Sequence, residues 1–162
     1  MSKVILVCGK ICSGKTYYCN KLKEKSNAVS LSCDEILSDL FHHNEGDKHD
    51  EIVKDIKEYL HKKSVEIIET GCDVILDWGF WSNSERKAVT EFYKSKTIIS
   101  EWHYIDINSD DWLNNINERN QKVISGMCSD YYVDEGLIDK LMTQFDEPTK
   151  DEIFCWYHFK RD

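Results

Sequence analysis

A chain of 162 residues with 41% hydrophobic and 12% aromatic side chains has the length and apolar content of one packed domain, which excludes a disordered polypeptide and leaves little room for a second domain. Its net charge of −9 comes from 30 acids against 21 bases, only three of them arginine (Arg86, Arg119 and Arg161); this opposes binding of long nucleic acid but admits a single nucleotide or a short end. No apolar run is long enough to cross a bilayer, and seven cysteines with no CxxC pair and no N-terminal signal segment lead us to expect a reduced, cytoplasmic protein.

Val4 to Cys8 is an apolar, partly β-branched run that reads as a first strand, and it leads directly into "GKICSGKT" at residues 9–16. This stretch fits the phosphate-loop pattern G-x-x-x-x-G-K-[ST]. Gly9 and Gly14 allow the tight curl. The backbone amides of Gly9, Lys10, Ile11, Cys12, Ser13 and Gly14 converge on an anion, Lys15 reaches the β and γ phosphates of a nucleoside triphosphate, and Thr16 offers its hydroxyl to Mg²⁺. "KTYYCNKLKEK" then runs out as a helix, the expected setting for such a loop.

"AVSLS", Ala28 to Ser32, reads as a second strand, followed by a short helix in "CDEILSDLFHH" that starts at or near Asp34. A long helix follows, with apolar residues at 52, 53, 56, 60, 65, 67 and 68 and a stop at Gly71. "DVILDW", Asp73 to Trp78, is the third strand. "SNSERKAVTEFYKS" opens on capping residues and reads as a helix, "TIISEWHYID" as the fourth strand, and "NSDDWLNNINERNQ" and "DEGLIDKLMTQFD" as two further helices. "EIFCWYHF" closes the series as a fifth strand after Pro148, the one proline. Strands alternating with helices predict an α/β fold: a three-layer P-loop domain with a five-stranded parallel sheet flanked by helices, occupying residues 1–162 as a single unit, with a lid expected around 119–133.

Three acids and bases outside the loop are candidates for the chemistry. Asp77 ends a hydrophobic strand, the usual place for a metal-orienting carboxylate, and otherwise caps a turn. Asp34 follows the second strand, and ligands of open α/β sheets collect at the carboxyl ends of strands; it is either the base that takes a proton from an attacking hydroxyl or the N-cap of its helix. Arg119, read as ending its helix before the polar "KVISGMCSDYY", either closes over a triphosphate or satisfies a helix C-terminus.

Two more positions fall near the acceptor side. Arg86 either holds an anionic acceptor or is a solvated helix residue, and Trp78, with Phe80 and Trp81, either stacks on a flat acceptor or packs in the core. His42, His43 and His49 lie among acids but lack a recognised metal-ligand spacing.

"GKICSGKT", "SCDE", "ILDWGFWSNSER", "HYIDINSDDWLNNINERN" and "FDEPTKDE" together resemble the small P-loop kinase-like proteins labelled AAA family ATPase or zeta-toxin-like kinases, a group related to polynucleotide kinase and chloramphenicol phosphotransferase. The resemblance spans nearly the whole chain. It implies ATP and Mg²⁺ as cofactors and γ-phosphoryl transfer to a hydroxyl, with Asp34 as base, Lys15 and Thr16 on the phosphates and metal, and Arg119 on the lid. A chain of this length does not hold the added helical domain of a hexameric AAA machine. Lids of related kinases often carry two or more arginines, whereas here Arg119 is followed only by Lys122.

The leading reading is therefore an ATP-dependent phosphotransferase with a small-molecule or nucleotide acceptor. An ATP-binding regulatory switch and a toxin-like nucleotide-sugar kinase are the alternatives. A guanine-specific switch is disfavoured by the lack of an N-K-x-D motif. Composition leaves the oligomeric state open, since the aromatics serve a core or an interface equally well.

Overall fold

The computed structural model describes residues 1–161. Five strands, β1 (Lys3–Cys8), β2 (Ala28–Ser32), β3 (Asp73–Asp77), β4 (Ile99–Asp106) and β5 (Cys155–His158), form one sheet in the order β2-β3-β1-β4-β5. Every neighbouring pair is parallel. A parallel sheet needs crossover helices that cover both faces, so its central strands read as continuous apolar runs. β1 shows this: Val4, Leu6, Val7 and Cys8 are fully buried and Ile5 is nearly so.

The strand's period of two sorts these residues between two cores. Val4, Leu6 and Cys8 face one layer with Val74 and Leu76, against Cys33 and Leu37 of α2 (Cys33–Phe41), Ile56 and Leu60 of α3 (His49–Glu69) and Val89 and Tyr93 of α4 (Asn83–Ser95). Ile5 and Val7 face the other with Ile75 and Ile105, against Tyr18 and Cys19 of α1 (Lys15–Lys25). A third cluster, Ile107, Trp112, Ile116 and Val133, joins α5 (Ser109–Ile124) to the segment before α6 (Glu135–Gln144).

Side-chain caps set four helix starts: Ser32 accepts from Glu35 N–H, Ser82 from Glu85 N–H, Asn108 from Asp111 N–H and Asp134 from Leu137 N–H. Three of the boundaries that differ from the sequence expectation bear on the site. Trp78 lies just beyond β3, because the chain bends at the strand end. β5 is shorter than the apolar pattern, because residues 149–152 are held in a turn by Glu152, which accepts from Thr149 N–H. α5 runs on to Ile124, so Arg119 lies inside the helix and not at its end. Among the described residues no helix is long and apolar enough to cross a membrane.

Candidate active site

The loop between β1 and α1 stands at the carboxyl edge of the sheet, where β2 and β3 also end. Gly14 takes φ +95°, and a Cβ there would come within 2.6 Å of Phe159 Cδ2. Only glycine satisfies both the left-handed backbone and the close approach of that ring. Cys12 also takes a left-handed φ of 58°, at a position where an L side chain bears some strain.

The loop is braced from two sides. From α5, Trp112 Nε1 donates to Ile11 O at 2.7 Å and Asn115 Nδ2 donates to Cys12 O at 2.9 Å. From the turn after β3, Gly79 O accepts the Gly9 N–H at 3.2 Å. These contacts use the carbonyls of Ile11 and Cys12 on the outside of the curl, which suits a loop whose amides serve an anion inside it.

Four of the expected side chains meet in one open cleft of about 1090 Å³: Lys15, Thr16, Asp34 and Asp77. Thr16 Oγ1 donates to Asp77 Oδ2 at 3.2 Å, so the hydroxyl and the carboxylate that were expected to share a metal stand side by side. Asp77 is 8% exposed, and burial pushes its carboxyl above the usual range while Lys15 and the Thr16 hydrogen bond pull it down. Burial likewise lowers the Lys15 ammonium, opposed by Asp77 and then Asp34. Lys15 Nζ donates to the carbonyls of Gly9 (3.2 Å) and Lys10 (2.6 Å).

A hydroxyl beside a buried carboxylate with oxygen-only donors is the chemistry Mg²⁺ prefers, and the glycine-bearing loop beside it is of the kind that holds phosphate, so these residues fit ATP with Mg²⁺. Asp34 is exposed in the first turn of α2. Because Ser32 caps that helix, Asp34 has no capping duty.

The remaining candidates divide. Arg119 lines the cleft, with Nη1 3.6 Å from Cys12 Sγ and Nε 3.9 Å from Asp130 Oδ2. Trp78 also lines the cleft, though only 5% exposed, and its ring meets His61 edge-on at 5.2 Å and Phe80 at 4.9 Å. Arg86 does not join them. It is 2% exposed beneath the turn after β3, where its Nη1 donates to Phe80 O (3.0 Å) and Trp81 O (3.2 Å) and its Nε lies 3.7 Å from Glu152 Oε1. Arg86 is thus neither a solvated helix residue nor among the residues that line the cleft.

The cleft also holds residues that sequence reasoning passed over. Arg161, after β5, reaches in beside Arg119: its Nη1 donates to Asn115 Oδ1 at 2.8 Å and its Nη2 pairs with Glu118. Lys21 and Lys160 line it too, together with Lys122, which the sequence had offered beside Arg119, so its positive charge comes from α1, α5 and the chain after β5 together. The segment between α5 and α6 crosses to α2 and the turn beyond it: Ser129 Oγ lies 3.5 Å from Ser38 Oγ, and Tyr131 donates to Glu45 at 3.2 Å and packs on His43 at 4.4 Å. A helical i, i+3, i+7 pattern on α5 (Trp112, Asn115, Arg119) was the available signal for its loop-facing stripe.

Comparison with known proteins agrees with this geometry. No curated protein matches the sequence. Among solved structures, a sugar kinase from Janibacter sp. HTCC2649 superposes with a TM-score of 0.68 at 12% identity, covering 98% of this chain and 86% of that one. The Mycobacterium tuberculosis APS kinase CysC, solved with AMPPNP and APS, gives 0.66 at 14% identity with 99% and 90% coverage. A gluconokinase from Sinorhizobium meliloti 1021 gives 0.64 at 10% identity with 96% and 81% coverage. At such identities the likeness is one of fold, a kinase-like P-loop fold. Residues 4–148 match the AAA domain family, and with that match spanning most of the chain the protein belongs to this family.

Proposed function

We propose that the protein transfers the γ-phosphoryl group of ATP, bound with Mg²⁺, to a hydroxyl of a small molecule or of a nucleotide or short oligonucleotide end. The observation that carries this reading is the convergence of Asp34, relieved of capping by Ser32, on the same cleft as Lys15, Thr16 and Asp77. The solution of an APS kinase of the same fold with AMPPNP supports a nucleoside triphosphate donor.

In this reading the loop amides and Lys15 hold the β and γ phosphates, and Lys15 exchanges its carbonyl partners for phosphate oxygens. Thr16 and Asp77 would hold Mg²⁺, which would supply charge neutralisation at the phosphates. Asp34 orients the acceptor hydroxyl and takes its proton as the new O–P bond forms and the bond to the β-phosphate oxygen breaks. Arg119, already beside Cys12 of the loop, neutralises negative charge on the transferring group, and Arg161 and Lys122 lie in the same cleft to assist. Trp78 forms a flat apolar wall beside Asp77 for the acceptor.

The test is transfer of labelled γ-phosphate from ATP across a panel of nucleosides, short oligonucleotides, aminoglycosides, chloramphenicol and sugars, with the parent and Asp34→Asn. A labelled product that is lost in the variant supports transfer with Asp34 as base. Tight ATP binding with no labelled acceptor, and equal ATP hydrolysis by parent and variant, favours a nucleotide-dependent switch instead.

A further inference from the structure

Arg86 is among the largest fully buried side chains of the described residues, yet nothing in the proposed transfer uses it. Burying a guanidinium is costly unless its donors are matched and its charge is countered. Among the described residues Nε and Nη2 have no hydrogen-bond partner, so what Nη1 holds is informative. Its Nη1 sits between two successive carbonyls, Phe80 O at 3.0 Å and Trp81 O at 3.2 Å, while the carbonyl just before them, Gly79 O, receives the N–H of Gly9 at 3.2 Å. Three consecutive carbonyls of one turn are thereby committed, one to the phosphate loop and two to Arg86.

The turn has few other conformations open to it. Phe80 takes φ 48°, unfavourable for an aromatic residue, and a Cβ on Gly79 would fall 2.0 Å from Trp81 Nε1. Trp81 O also accepts Asp146 N–H at 2.8 Å, and Asp146 Oδ2 accepts Asn83 N–H at 2.9 Å, so the turn is held from α4 and from the chain before β5 together. Glu152, 3.7 Å from Arg86 Nε, supplies the counter-charge. At one end of the turn stands Asp77, two residues before Gly79; at the other stands α4, which carries Arg86 itself.

We propose that Arg86 is a positioning residue for the nucleotide site: by gripping the carbonyls of Phe80 and Trp81 it fixes the turn that docks Gly9 at the base of the phosphate loop and that aims Asp77 at Thr16. The inference rests on the nucleotide site of the proposed function and does not depend on which acceptor is used. The guanidinium is needed for its shape as well as its charge. Both carbonyls are met by Nη1 alone, whose two N–H bonds are held in one plane, whereas a lysine ammonium is a strongly hydrated point charge with freely rotating N–H groups.

The experiment measures the Kd of a fluorescent ATP analogue, with and without Mg²⁺, for the parent, Arg86→Lys and Arg86→Ala, at a temperature well below each variant's thermal midpoint. Affinity in Arg86→Ala is expected to fall about 10- to 100-fold, the range seen when a residue that orients metal or phosphate ligands is removed. Arg86→Lys is expected to lose most of that affinity, and millimolar guanidinium is expected to restore binding to Arg86→Ala and not to Arg86→Lys. A folded Arg86→Ala that binds the analogue like the parent overturns the inference, as does one in which only the acceptor KM rises. Where Arg86→Ala does not fold, Arg86→Gln, which keeps a neutral donor in the same place, carries the measurement: parent-like binding by the folded variant overturns the inference, and a loss of about 10- to 100-fold supports it. Because the readout is nucleotide binding, a parent that binds the analogue but labels no acceptor would sink phosphoryl transfer while leaving Arg86 to be judged on Kd.

Discussion

The hydroxyl of Thr16 lies 3.2 Å from Asp77 Oδ2, although 61 positions separate the two residues in the chain. Parallel pairing of β1 with β3 in the register Val7 to Asp77 brings the end of β3 beside the start of the phosphate loop. The pair therefore depends on the sheet and not on local sequence. Asp77→Asn keeps the hydrogen bond to Thr16 but removes the charge. It is expected to weaken Mg²⁺-dependent nucleotide binding about 10- to 100-fold and to leave metal-free binding almost unchanged. Titration of a nucleotide analogue with and without Mg²⁺ checks this.

Asp34→Asn bears on transfer and not on binding. General-base assistance contributes about 10²- to 10⁴-fold. We expect kcat on any accepted hydroxyl to fall by about that factor with nucleotide Kd unchanged, since Asp34 is exposed and Ser32 holds the helix cap. A variant that transfers at the parent rate removes Asp34 from the chemistry.

At Gly14 the backbone and the packing can be separated by mutation. Gly14→Ala meets both φ +95° and Phe159 at 2.6 Å, and is expected to destabilise the fold by about 1–3 kcal/mol and to lose nucleotide binding. Adding Phe159→Ala relieves the clash without changing φ. Thermal melts should show part of the stability recovered in the double variant, and the unrecovered part measures the backbone strain.

Asn120 ties the segment before α6 to α5. Its Nδ2 donates to Val133 O and its Oδ1 accepts from Val133 N–H, both at 2.8 Å, and the residue is 8% exposed. Asn120→Ala leaves two buried backbone groups unmatched, at a cost of about 2 kcal/mol or more. Faster proteolysis between residues 125 and 133, with the sheet intact by circular dichroism, is the expected signature.

His61 makes stability depend on pH. Burial lowers its pKa to about 4, and its Nδ1 is paired with Tyr93 Oη at 2.8 Å. The unfolded chain takes up a proton at the ordinary value of 6.5 and the folded chain does not. This contribution is therefore fully present above pH 6.5 and is lost as pH falls towards 4, amounting to about 2–3 kcal/mol. His61→Gln retains a polar partner for Tyr93 without titrating. Urea midpoints at pH 7 and pH 4.5 should differ less for this variant than for the parent; an equal difference would assign the acid sensitivity to other groups.

The phosphate loop was legible because its signal is local: eight consecutive residues, a strand before them and a helix after them determine the curl with little help from the rest of the chain. The alternation of apolar strands and amphipathic helices likewise led to the five-stranded parallel sheet, because buried parallel strands must be apolar on both faces. Asp34 and Asp77 could be singled out because strand ends at the carboxyl edge of such a sheet face one crevice.

The arginines could not be sorted this way. Arg86 stands on the same face of α4 as the buried Val89 and Tyr93, but a long charged side chain at such a position reads equally well as reaching solvent; that it meets the turn at residues 79–81 follows from how α4 packs and not from composition. Arg119 and Arg161 are 42 positions apart and share a cleft only because β5 pairs with β4 and delivers the chain after it to α5. Local backbone preference and hydrophobic period are properties of neighbouring residues and are written in the sequence. Which distant charges meet is settled by the packing of whole elements, and only the tertiary structure decided it.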